Sequence, residues 1–199
     1  MKKFELTNEF VTNMFGTKLF RIRALVEFGD VEAGELGGYV EKESNLGHDD
    51  NAWVYGNARV YGDALVYDNA RVYGDAWVYG DAWVYGNALV CGNARVYDNA
   101  RVYGDAWVYG NARVCGDALV CGDARVCGNG DYAYAHGFGS VNRTTTFFRL
   151  KDGGVGVRCG CFYGTLAQFR DKIRETHGET KKAQEYLMLA DLMKLRFEK

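Results

Sequence analysis

The chain contains no proline among its 199 residues, only three histidines, and a formal net charge of −2. Without proline, bends fall to glycine, asparagine and aspartate, which tolerate the left-handed backbone region. A charge so close to zero argues against a strongly basic nucleic-acid binder and is too small for acidic mimicry of DNA. No apolar run is long enough to span a membrane, and Met1-Lys2-Lys3 leads straight into Phe4-Glu5-Leu6. A cytoplasmic location, with no membrane partner, is therefore expected. The 26 glycines form neither a phosphate loop nor a dinucleotide fingerprint. The six cysteines include no second Cys pair, and no His pair stands at a zinc-like spacing, so no metal is expected.

What is present is a period of six. From Asn51 to Gly128 the unit (Asn/Asp)-Ala-x-Val-(Tyr/Cys)-(Gly/Asp) recurs without insertion, with Val at every sixth position from Val54 to Val126. Such a short fixed period marks a solenoid. Within Ala-x-Val, Ala and Val point to one side, and x and the following Tyr or Cys point to the other. Each unit is one short β-branched strand followed by a Gly-Asn or Gly-Asp corner. Three units close a triangular coil, stacked about 4.8 Å above the last like parallel strands. The expected fold is thus an all-β solenoid of about five coils.

Cys91, Cys115, Cys121 and Cys127 replace the outward Tyr of their units. Cys91 and Cys127 share a face two coils apart, about 9.6 Å, which is too far for a disulfide. Free thiols in a reducing compartment are the expectation.

The ends break the rhythm. Residues 1–37 read as a strand-rich cap, needed because an open solenoid end exposes core and unpaired edges. Val40 and Leu46 fall twelve and six residues before Ala52, placing the start of the solenoid near Gly38. The expected division is 1–37 cap, 38–140 solenoid, 141–199 tail. In the tail, Thr145–Leu150 and Val155–Cys159 flank Asp152-Gly153-Gly154 as a hairpin. Thr165 and Gln168 read as a capping box opening a helix to about Thr176, and a second helix is expected over Lys181–Phe197. Cys159 and Cys161 are expected on one side of a strand, as small residues packed under the hairpin.

Val54-Tyr55-Gly56-Asn57-Ala58-Arg59 and the units after it resemble the hexapeptide-repeat family, whose fold is the left-handed parallel β-helix. The chain departs from that pattern by placing Tyr or Cys directly after the aliphatic residue. The left hand is implied by the resemblance alone, because crossover rules favour the right. Gly37-Gly38-Tyr39-Val40-Glu41-Lys42-Glu43-Ser44-Asn45-Leu46 resembles the N-terminal piece of bacterial and phage hexapeptide proteins often labelled acyltransferases, and the segment around Arg158-Cys159-Gly160-Cys161-Phe162 a tail module of phage-type proteins. The resemblance implies a phage or prophage origin, with counter-defence as a setting. For an acyltransferase it implies a histidine base and an acyl-coenzyme A donor. His136, at the solenoid's end, and His48 are the catalytic candidates; His177 reads as a helix C-terminal residue favoured by the dipole. No loop interrupts the repeats, so a non-enzymatic binding or scaffold protein without a cofactor is the preferred reading.

The outward columns, eighteen residues apart, carry the remaining expectations. The first face places Trp53 outward. The second combines Arg59, Trp77, Arg95 and Arg113 with Tyr61, Tyr79 and Tyr97. Arg59, Trp77, Tyr79, Arg95, Tyr97 and Arg113 are the candidate site for a small anionic nucleotide, with the base on Trp77 or Tyr79 and phosphates on Arg95. The plainer alternative is a ladder neutralised by cation–π stacking and by the corner aspartates Asp63, Asp81 and Asp117. The third face, Leu65, Trp83, Arg101 and Leu119, is the most apolar. It is expected to be covered by a second subunit of a homo-oligomer or by the C-terminal helices; a host protein is the other expected partner.

Overall fold

The computed structural model describes residues 2–198. Strands β1 (Phe4–Thr12), β2 (Lys18–Ala24) and β3 (Leu36–Val40) precede thirteen two-residue rungs that wind as a parallel β-solenoid of about five turns. The first face stacks β4 (Trp53–Val54), β7 (Arg71–Val72), β10 (Leu89–Val90), β13 (Trp107–Val108) and β16 (Arg125–Val126). The second face stacks β5 (Arg59–Val60), β8 (Trp77–Val78), β11 (Arg95–Val96) and β14 (Arg113–Val114). The third stacks β6 (Leu65–Val66), β9 (Trp83–Val84), β12 (Arg101–Val102) and β15 (Leu119–Val120). Valine pairs with valine in every ladder, and the repeat alanines and valines are fully buried. Each buried valine contributes about 1.5–3 kcal/mol of transfer free energy.

The corners require a left-handed residue. Gly86 sits at φ +68°, and a β-carbon there would lie 2.9 Å from the Gly104 nitrogen of the next coil. Asp68 and Asp98 adopt the same conformation, at φ 59° and 57°. Their carboxylates accept from the amides of Gly86 (3.0 Å) and Gly116 (3.2 Å) one coil on, which offsets the backbone strain. In the column next to Asp68 and Gly86, on the same corner, Asn51, Asn69, Asn87 and Asp105 hydrogen-bond in series.

At the N-terminal end β3 pairs in parallel with β5, and Leu46 bridges Val66. β3 therefore stacks on the second face beneath β5. The strict period does not extend back, however: Leu46 aligns one rung before Val54, eight residues away, rather than before Ala52. The two extra residues widen the corner that carries His48. Antiparallel β1 and β2 continue the second face into a seven-stranded sheet, in the order β1-β2-β3-β5-β8-β11-β14. Phe4, Ile22 and Val31 fill the open end of the core. Trp53, expected outward, is completely buried between Phe4 and Phe28, with ring centroids at 6.1 and 5.3 Å. It keeps the outward register of Arg71, and the cap folding over its rung is what buries it, which alternation does not reveal. Beside it the buried Lys3 ammonium donates to the carbonyls of Asp50 (2.7 Å) and Ala52 (2.9 Å). Burial lowers its pKa, and the Asp50 carboxylate opposes that.

The C-terminal end is closed by an antiparallel sheet of β17 (Tyr132–Phe138), β18 (Arg143–Arg149), β19 (Val155–Cys159) and β20 (Phe162–Thr165), in that order. Residues 132–138, grouped above with the solenoid, leave it: once Ala-x-Val gives way to Tyr-Ala-Tyr-Ala, one long strand replaces the rung and corner. The hairpin β18–β19 and the helices α1 (Leu166–His177) and α2 (Lys181–Phe197) lie where the sequence predicts them, with the Thr165–Gln168 capping box formed. Neighbouring residues of β18 serve opposite cores. Phe148 enters the solenoid core, while Phe147 packs with Phe169, Ile173 and Tyr186 beneath the helices. Leu119 donates its amide to the Thr146 hydroxyl at 2.9 Å, tying the third face to β18. Cys159 is buried at the end of β19, but Cys161 lies in the exposed turn after Gly160. The tight turn separates the two thiols, against the expectation of a shared side.

Candidate functional site: two grooves where the solenoid meets its C-terminal cap

On the second face the guanidinium carbons of Arg59 and Arg95 lie 5.2 and 4.6 Å from the Trp77 ring centroid, one coil on either side. Tyr61, Tyr79 and Tyr97 stack at successive 5.0 Å separations. The faces of Trp77 and Tyr79, expected to take a base, are thus occupied by their own neighbours. The corner aspartates do not neutralise this column. Among the described residues none pairs with Arg59, Arg95 or Arg113; Asp63 pairs with Lys42 (2.7 Å) and Asp117 accepts from Asn99 (3.1 Å). Cation–π stacking therefore stabilises Arg59 and Arg95, by about 0.5–1 kcal/mol each at such half-exposed sites. Arg113, in register with Arg95, is exposed.

Arg113 and Tyr97 border a groove of about 460 Å³, completed by Cys115, Tyr132 and Tyr134 of the last coil and β17, and by Arg196 of α2. Arg196 donates to the carbonyls of Asn129 (3.2 Å) and Tyr132 (3.5 Å), which anchors a second cation opposite Arg113. Hydrogen bonding with the Cys115 thiol, then burial, push the Tyr97 phenol up to about 12. At neutral pH its phenol is uncharged and the guanidinium groups set the sign of the groove. Neither Arg196 nor Tyr134 is distinguishable in the sequence, because both lie outside the period.

The third face forms a larger groove, of about 890 Å³. Trp83, Arg101 and Leu119 line it, between the corner column Asp81, Asn99 and Asp117 and the residues His136, Arg143 and Thr144 of β17 and β18. Arg101 stacks on Trp83 at 4.6 Å. Leu65 is half-buried in the same column but lies outside this groove. The helices pack chiefly against β17, β19 and β20 rather than along this face, so they are not its cover. His136 is exposed, with Nδ1 2.9 Å from the Thr144 hydroxyl. His48 is at the other end of the coil. It stacks on Phe4 at 4.5 Å, and its Nδ1 accepts from the Lys3 amide at 3.2 Å, so its ring is engaged in closing the cap. His177 ends α1 and stacks on Tyr186 at 5.9 Å.

Among the described residues there is no group of three His, Cys, Asp or Glu side chains arranged for a metal ion, and no helix is long and apolar enough to cross a membrane. Comparison with curated proteins gives no match. A family model described as the YdcK beta solenoid repeat matches residues 52–68, 64–80, 94–110, 106–122 and 112–128. The matched segments lie within the stacked rungs, and together with the parallel coil they make this chain a repeat β-solenoid protein.

Proposed function

We propose that the chain is a non-enzymatic binding scaffold of the cytoplasm that holds a small anionic, nucleotide-like ligand on the second face. The observation that carries this reading is the second-face groove. Arg113 faces it without a carboxylate partner among the described residues, Arg196 lies opposite, and Tyr97 and Tyr134 border the same space. Guanidinium groups converging on one groove suit a phosphate, which they can bind through paired N–H donors. With the faces of Trp77 and Tyr79 already occupied, the ring of the ligand belongs against Tyr97 or Tyr134, and Arg95 contributes through its charge one coil away. The third face, with Trp83, Arg101 and Leu119 half-open, is proposed as the contact for a second subunit or a host protein. A phage counter-defence setting rests on the resemblance of the repeat and tail segments.

The test is a calorimetric titration with a nucleoside diphosphate, comparing the native chain with Arg113→Glu. Arg113 belongs to no cation–π pair, so this exchange leaves the Arg59–Trp77–Arg95 stack in place. Binding heat that disappears in the variant supports the reading; equal heats, or none in either protein, reject it. The same titration with acetyl-coenzyme A tests the acyltransferase alternative, which is favoured by the position of His136 and Thr144 on the third-face groove.

A further inference from the structure

The terminal module contains a further cavity, which adjoins the third-face groove through Arg143 and is distinct from the second-face groove. It measures about 280 Å³ and opens between α1 and the turns that precede β18 and β20. Phe162, Phe169 and Ile173 supply its apolar wall, and Tyr186 its floor. The Tyr186 hydroxyl is already engaged, at 3.1 Å from the Ser140 amide and 3.8 Å from the Cys159 sulfur. The floor therefore offers no spare polar group, and the interior suits an apolar body.

The mouth is different. Arg143 stands there half-buried, and among the described residues its side chain makes no ion pair and no hydrogen bond. Asp81 and Asp117 border the third-face groove with it but form no ion pair with it. Gly160 opposite, at φ +58°, leaves room for the guanidinium, and a β-carbon there would collide with it. Lys172 and His177 also line the rim. Of the nearby carboxylates, Glu175 is paired with Lys172 (2.9 Å) and Glu185 accepts the Gly139 amide (2.8 Å). The Arg143 donors are open to solvent rather than buried, so they are free to take an anion at the apolar mouth.

From these features we infer that the module binds a small monocarboxylate, its apolar body against Phe162, Phe169 and Ile173 and its carboxylate on Arg143. The volume lies just below the usual small-molecule range of about 300–1,000 Å³, so the ligand is a short aliphatic chain or a single ring. This is a different site and a different ligand class from those proposed on the second face.

The experiment uses the full, nitrogen-labelled chain and two probes of equal chain length, octanoate and octanol, followed by amide NMR shifts. Octanoate is expected to shift the amides of Phe162, Phe169 and Ile173, and octanol to bind about tenfold more weakly. Arg143→Gln should bring octanoate down to the affinity of octanol, while Arg143→Lys keeps part of the difference. Ile173→Trp, which fills the cavity, should abolish the shifts from both probes. Equal affinity for octanoate and octanol, an unchanged octanoate affinity in Arg143→Gln, or no shifts at millimolar octanoate would overturn the inference. If Arg143→Gln does not fold, the octanoate-to-octanol ratio in the native chain and the Arg143→Lys result decide it.

Discussion

The two ends of the solenoid are closed by opposite means. At the N-terminal end β1 and β2 add strands to the second face, so the cap belongs to the same hydrogen-bonded sheet as the rungs. At the C-terminal end the antiparallel sheet packs against the last coil, joined to it through Phe148 and Tyr132, the Leu119–Thr146 bond and the Ala124–Leu150 bridge. The second cap has a hydrophobic core of its own under the helices. A cap that extends a sheet shares the cooperativity of the coil, whereas one that rests on the coil can loosen separately. Both grooves and the module cavity involve the second kind of cap, where two differently built surfaces meet.

The widest break in this comparison is a central one. Val90→Asp places an unpaired charge in the middle of the coil and should unfold both the solenoid and the N-terminal cap, at a cost above about 4 kcal/mol. Circular dichroism and solubility check it, and a folded, soluble variant would mean the inward register is wrong. Next comes the pair on β18. Phe148→Ala and Phe147→Ala should each cost about 3–5 kcal/mol locally, but in different places. Hydrogen exchange should speed up in rungs β14 to β16 for the first and in α1 and α2 for the second; identical patterns would mean that the two cores are one. Lys3→Met removes the donor to the Asp50 and Ala52 carbonyls at the N-terminal end, and should cost about 1–3 kcal/mol. If that cap is part of the cooperative sheet, the loss appears as a lower urea midpoint for the whole coil and not as a separate early transition.

The smallest effect concerns the tyrosine ladders. Burial pushes Tyr55 and Tyr61 up to about 12, whereas an unfolded phenol ionises near pH 10. Above that pH the unfolded chain releases protons that the folded chain retains. The stability they contribute is therefore complete below about pH 10 and lost as the pH rises toward about 12. Urea midpoints measured across that range should fall, and the fall should be smaller for Tyr61→Phe. A midpoint that stays flat would show that the ladder phenols ionise as freely as in the unfolded chain.

The differences between ladder positions show how far alternation reaches. Tyr55 stacks on Tyr73 and Tyr61 on Tyr79, as a period of eighteen requires. Cys115, Cys121 and Cys127 occur in the last coil, next to the cap: the Cys115 sulfur meets the Tyr132 hydroxyl at 3.7 Å, and Tyr163 of the cap reaches the Gly122 corner. Smaller side chains there leave room for the sheet. Cys91, in mid-ladder, has no such neighbour, and nothing in the structure explains it.

From its sequence alone, the chain determined its coil: the period set the rung, the Ala and Val positions set the inward face, and the corners followed from glycine, asparagine and aspartate. Those outcomes are local, because each unit meets only copies of itself eighteen residues away. The candidate columns were legible for the same reason, down to the Arg59–Trp77–Arg95 stack. Tertiary structure alone decided what the non-repeating segments cover. It buried Trp53, set His48 into a cap and His136 beside Thr144, brought Arg196 to Arg113, and left Arg143 at the mouth of an apolar cavity. Such contacts join residues with no common period, and packing against a single partner leaves no recurrence in the sequence to read.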